Sequence, residues 1–166
     1  MVYLIQIIPD VSSYRDGATM NIEVREAVET DYPAVCSLIS KELGYPNVTL
    51  DELAIRLKRM EKAGNYHTFV AILDNVIVGF IGITQGIAYE ISGDYYRIIA
   101  FAVSSKHQNK GIGSSILRYV ENIASQNGIS YFTLSSGMQR TAAHAFYEHN
   151  GYEKKSYSFA KGLKHP

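Results

Sequence analysis

The chain has 166 residues, 46% of them apolar and 19% charged, which suits one folded domain with a substantial core and is unlike a disordered chain. Lysine plus arginine and aspartate plus glutamate number 16 each, so the formal net charge is zero, which argues against a general nucleic-acid binder. A single cysteine, Cys36, leaves no intramolecular disulfide and no multi-cysteine zinc site.

The first segment, MVYLIQIIPDVSSYRDGAT, reads as an addition to the main body of the chain. Its run from Val2 to Ile8 is strand-like, is too short to cross a bilayer and lacks the charged start and cleavage site of a secretory signal. We read residues 1–19 as an N-terminal extension, an extra edge strand at an oligomer contact, and residues 20–166 as one domain. The expected location is the cytoplasm, with no membrane partner.

After the strand-like NIEVREA, a helix is expected from Thr30. Asp31 or Thr30 caps it, Pro33 fits its first turn, and Val35, Leu38 and Ile39 recur at helical spacing. Cys36 falls inside this pattern and reads as a buried structural thiol. Gly44 and Pro46 end the helix. Thr49-Leu-Asp-Glu52 is a capping-box pattern before a second helix with an apolar face of Leu50, Leu53, Leu57 and Met60, closed by Gly64-Asn65. Two strands come next, HTFVAIL and VIVGFIGITQG, joined by the hairpin turn Asp74-Asn75. A third strand, YYRIIAFAV, ends at the polar loop SSKHQNKGIG. Ile112, Ile116, Leu117, Val120, Ile123 and Ala124 then trace a helical stripe up to Asn127-Gly128. The remaining elements are a strand in ISYFTLSS, a helix in TAAHAFYEHN, and a final strand in YEKKSYSFAK. The expected class is mixed α/β (α+β), ordered β-α-α-β-β-β-α-β-α-β, with a largely antiparallel sheet flanked by helices.

The loop carries Gln108, Asn109, Lys110, Gly111 and Gly113 just before a helix. It lacks the G-x-x-x-x-G-K-[ST] string of a P-loop, and Gly111-Ile-Gly113-Ser-Ser-Ile116 lacks the third glycine of a dinucleotide fingerprint. What survives is a helix start with unpaired amides, two glycines and a lysine. That arrangement suits a pyrophosphate, or else is simply a turn.

Gln108-Asn-Lys-Gly111-Ile-Gly113 resembles the Q/R-x-x-G-x-G/A pyrophosphate loop of the GNAT N-acetyltransferase superfamily. The strand ending in Ala102-Val103 is similar to that family's central strand, and AAHAFYEHNGYEKKSYSFAK resembles its A-x-x-F-Y-x-x-x-G-F/Y region. The element order from Asn21 to Lys161 agrees. The resemblance implies acetyl-CoA as cosubstrate, no metal, and a small-molecule or peptide amine as acceptor. It gives pyrophosphate binding to the amides of Gln108, Asn109, Lys110, Gly111, Ile112, Gly113 and Ser114, and the pantetheine arm to backbone groups of Phe101, Ala102 and Val103. The Val103 amide would donate to the thioester carbonyl, and Tyr147 would be the general acid for the departing thiolate. Members of the family often dimerise, so a homodimer is expected.

This sequence departs from the family pattern at two positions. Where many relatives carry a glutamate on the central strand stands Arg97, which cannot accept a proton. Glu90 is then the first candidate for the base; His107 is a weaker one, and His144 reads as structural or surface. Where relatives carry a CoA-contacting asparagine stands Arg140, able to meet a CoA phosphate or an acidic substrate. The two arginines together raise a carboxylate-bearing acceptor. Tyr89, Tyr95 and Tyr96 are candidates for an aromatic acceptor wall. The expected reaction is direct acetyl transfer to a primary amine; the alternative is an acyl-CoA sensor of the same fold with little catalysis.

Overall fold

The computed structural model describes residues 21–163, so the leader lies outside the described residues. These fall into two compact units, 21–133 and 134–163. The first begins with β1 (Glu23–Glu26) and a short 3-10 turn. There Asp31, 5% exposed, accepts from both Arg25 guanidinium nitrogens at 2.6 and 3.0 Å and from the Val28 amide at 2.8 Å. That pairing pulls the Asp31 carboxyl below its ordinary range. It also fixes the entry to α1 (Tyr32–Glu42), whose first turn holds Pro33 as the sequence requires.

Helix α2 (Leu50–Ala63) starts on the expected capping box: the Thr49 hydroxyl accepts from the Glu52 amide at 3.3 Å. It stops at Gly64, which takes φ 76°, the left-handed angle a helix end favours. The meander β2 (Tyr66–Leu73), β3 (Val76–Ile87) and β4 (Asp94–Val103) comes next. Asp74 and Asn75 make the first hairpin with φ 50° and 61°, positive at both central positions. After the loop come α3 (Ile112–Gln126) and β5 (Phe132–Leu134); the second unit contains α4 (Thr141–His149).

The five strands form one sheet in the order β1-β2-β3-β4-β5, and the ladders β1–β2, β2–β3 and β3–β4 are antiparallel. One face packs against α1 and α2 through Val35, Leu38, Leu53, Leu57, Val70, Phe80 and Ala102. On α3, Ile112, Ile116, Leu117, Val120 and Ala124 are buried, and Tyr119 meets Phe69 edge-on at 5.7 Å. Phe69 alternates with Val70 along β2, so α3 covers the opposite face.

Two expectations change. The strand expected in ISYFTLSS shrinks to three residues. The final strand expected over YEKKSYSFAK is absent: residues 152–163 carry no strand, and Tyr157 and Phe159 are 82% and 94% exposed. Alternating aromatic and polar residues supply strand propensity only. A strand also needs a partner to complete its ladder, and among the described residues none pairs with 152–163.

Candidate active site

The end of β4 and the loop after it are held by a short chain of hydrogen bonds. The Ser104 amide donates to the Val78 carbonyl at 2.8 Å, so that position is a hydrogen-bonded pair with β3. Backbone groups alternate direction along an antiparallel strand. Those of Ala102 therefore turn into β3, and those of Phe101 and Val103 turn to the other edge. This refines the sequence expectation: of the three residues, Ala102 spends its amide on the sheet, and its side chain sits in the α1–α2 core. The Val103 carbonyl accepts from Gln108 Nε2 at 3.1 Å, which folds the loop back onto the strand end.

A 3-10 turn, Ser105–His107, leads into the loop. Glu42, the last residue of α1, accepts from the Ser105 amide at 3.0 Å and from its hydroxyl at 3.2 Å. Asn109 then takes φ 60° and Gly111 φ 76°. Asparagine is the side chain that best tolerates this region. A Cβ on Gly111 would meet nothing within 4 Å, so glycine stands there for its backbone angle. Ile112 is buried and anchors the start of α3.

No side chain caps α3. The amides of Ile112, Gly113 and Ser114 belong to its first turn, where an α-helix has no acceptor of its own. The contrast with α2, closed by Thr49 and Glu52, is direct. Exposed Lys110 and the positive end of the helix dipole add to the open amides, and the result is a cradle for an anion. The structure thus ties Val103 to Gln108 and runs the stretch Gln108–Ser114 into the open start of α3.

Within the second unit, Tyr147 on α4 lies edge-on to Phe146 at 5.4 Å and to Tyr152 at 5.6 Å. Burial pushes its phenol up to about 12, with the Arg140 charge acting in the opposite sense. Arg140 occupies the position before the first turn of α4, and the His144 amide donates to its carbonyl at 3.0 Å. His144 Nε2 meets the Gly137 carbonyl at 3.0 Å, a structural bond.

The remaining candidates scatter. Glu90 and Tyr89 lie exposed in the turn between β3 and β4. His107 is half-buried, its Nδ1 without a hydrogen-bond partner. Cys36 Sγ donates to the Val48 carbonyl at 3.5 Å beside the core. The three tyrosines do not form one wall. The Tyr95 ring covers Gly86, where an added Cβ would come within 2.8 Å of it. Tyr96 is fully buried on the other face, edge-on to Phe132, and burial raises its phenol.

Tyr95 and Tyr96 part because neighbours on a strand alternate faces, and a bulge decides which of them faces α1 and α2. Gly82 pairs with Ala100 and Ile83 with Ile98, so Ile99 is the extra residue on β4. Arg97 and Tyr95 consequently share the α1–α2 face with Ala100 and Ala102. Sequence reading missed this bulge and the Glu42 clasp. Nothing local marks a contact between residues 63 positions apart.

Among the described residues no group of His, Cys, Asp and Glu could hold a metal, and no helix is long and apolar enough to cross a membrane. Comparison with known proteins matches residues 25–152 to the Acetyltransferase (GNAT) family. Over 145 residues the chain is 28% identical to the aminoalkylphosphonate N-acetyltransferase of Salmonella typhimurium, covering 85% of this chain and 91% of that protein. A solved GNAT family acetyltransferase of Staphylococcus aureus is 29% identical with a TM-score of 0.72, covering 86% of this chain and 98% of that one. The fold also resembles that of an aminoglycoside N-acetyltransferase in complex with CoA, with a TM-score of 0.77 at 13% identity over 90% of this chain and 99% of that one.

Proposed function

The chain belongs to the GNAT acetyltransferase family, and on that premise we propose that it moves the acetyl group of acetyl-CoA to a primary amine of a small molecule or peptide by direct attack. The observation that carries the reading is the uncapped start of α3 behind a loop with two positive φ angles, Asn109 and Gly111. It suits a pyrophosphate: the first-turn amides are uncapped, no side chain stands in front of Gly111, and Lys110 supplies charge. The pantetheine arm would run from there along the β4 edge to which Phe101 and Val103 turn their backbone groups, toward the bulge at Ile99.

The amine enters protonated and must lose a proton before it has a lone pair to use. Its nitrogen then bonds to the acetyl carbonyl carbon as the carbon–sulfur bond breaks, giving the amide, the free thiol and one released proton. The Val103 N–H is the donor for the carbonyl oxygen as negative charge builds there. The family resemblance gives the departing sulfur to the Tyr147 hydroxyl. No residue is assigned as the base, since Glu90 is exposed and Arg97 cannot accept a proton.

The test is amine-dependent thiol release from acetyl-CoA across anionic, neutral and cationic primary amines. Release with at least one class, lost when Gly111 is replaced by valine, supports transfer. CoA binding without release from any amine refutes it and favours a second reading, an acyl-CoA sensor, for which Arg97 at the expected position of the base speaks.

A further inference from the structure

The register of β2, β3 and β4 sorts the α1–α2 face into cross-strand rows about 7 Å apart. Val70, Phe80 and Ala102 form a buried apolar row that belongs to the core. The next row is Thr68, Gly82 and Ala100, all small. Beyond it come Tyr66, Thr84 and Arg97, each half-buried. A Cβ on Gly82 would find its nearest neighbours in Ile99 and Ala100 of β4, at 3.5 Å or more, so this low row leaves a recess between an apolar side and a polar, cationic one.

Arg97 reaches the recess because of the bulge. Counting back from buried Ala102 by strict alternation would put Ala100, Ile98 and Tyr96 on this face and Arg97 under α3. With Ile99 as the extra residue, Ile98 and Tyr96 pack on the other side, and Arg97 faces α1 and α2 with Thr84 opposite. The bulge also lies where a pantetheine arm laid from the 108–114 loop along β4 would lead, so the recess adjoins the place where the acceptor must stand.

A guanidinium there repels a bare ammonium and cannot take its proton, but its planar fork of N–H groups matches a carboxylate or phosphonate in two-point contact. The Thr84 hydroxyl accepts from Asn65 Nδ2 at 3.5 Å, which leaves its own O–H available to donate. We infer that the acceptor is an amine that also carries an anionic group, held by Arg97 with the Thr84 hydroxyl beside it in the recess floored by Thr68, Gly82 and Ala100. The inference rests on the acetyl-transfer reading and adds to it the class of acceptor.

The test uses four primary amines of similar length: 2-aminoethylphosphonate, β-alanine, propylamine and 1,3-diaminopropane. Thiol release is measured for each, together with calorimetric binding of the two anionic amines to the CoA-loaded protein. We expect kcat/KM at least tenfold higher for an anionic amine than for propylamine, with the diamine lowest; the phosphonate and carboxylate arms identify which anion fits. Arg97→Gln should remove the preference by raising KM more than it lowers kcat, and Arg97→Lys should keep part of it. Equal use of propylamine, or a preference intact in Arg97→Gln, overturns the inference while transfer itself stands. Anion binding that is lost in Arg97→Gln, with no turnover of any amine, upholds the site and refutes transfer. Absence of both binding and turnover overturns both.

Discussion

Removal of one oxygen tests how Tyr147 acts. Burial holds its phenol at about 12, whereas an alkyl thiol titrates near about 8.5. Full proton transfer to the thiolate is then uphill by about 5 kcal/mol. A hydrogen bond to the developing negative charge on sulfur needs no such transfer and is worth about 2 kcal/mol. Tyr147→Phe should therefore lower single-turnover acetyl transfer by roughly 30-fold, with acetyl-CoA affinity nearly unchanged because the ground-state thioester carries little charge. A phenol at about 12 stays protonated through the accessible range, so the wild-type pH profile should show no basic limb that depends on this residue. Thiol release followed across pH, with calorimetric acetyl-CoA binding for both proteins, measures each quantity. A Tyr147→Phe variant within twofold of wild type refutes the role. A wild-type basic limb near the ordinary phenol value, absent from the variant, refutes the hydrogen-bond argument and restores proton transfer.

Gly111→Ala places a Cβ in open space at φ 76°, so the cost is backbone strain of about 1 kcal/mol. Acetyl-CoA affinity should fall about fivefold, and unchanged affinity measured by calorimetry would separate this loop from donor binding. Glu42→Ala frees Ser105 from both of its bonds to α1, and acetyl-CoA affinity should drop severalfold while acceptor KM holds. Glu42→Gln keeps an accepting oxygen and should stay near wild type; equal losses in the two variants would contradict the clasp. Asp31→Ala leaves Arg25 and the Val28 amide without their acceptor. With the Arg25 side chain 37% exposed, the loss should be about 2 kcal/mol rather than the roughly 3–5 of a fully buried pair. That corresponds to about 4–8 °C in Tm. The Asp31 carboxyl titrates lower folded than unfolded, so this stability is present above about pH 4 and is lost as pH falls through the lowered value. A difference between wild type and Asp31→Ala that persists in acid would contradict the pairing.

The sequence by itself determined the elements whose causes are local. Thr49 and Glu52 close α2 because a capping box needs only its own turn, and Asp74-Asn75 forms a hairpin because both residues tolerate positive φ. The apolar stripe from Ile112 to Ala124 and the loop Gln108–Gly113 were legible for the same reason: spacing and backbone freedom are written residue by residue. What depends on partners distant in sequence was not legible. The run YEKKSYSFAK has strand composition, yet no ladder forms there. Glu42 meets Ser105 only once α1 has docked on the sheet. The clearest case is YYRIIAFAV. Alternation alone cannot say which of its side chains face α1 and α2, because one extra residue reverses every assignment before it. The pairing of Gly82 with Ala100 and of Ile83 with Ile98 settles that. It buries Tyr96 and turns Arg97 to the α1–α2 face, the placement on which the proposed anionic acceptor depends.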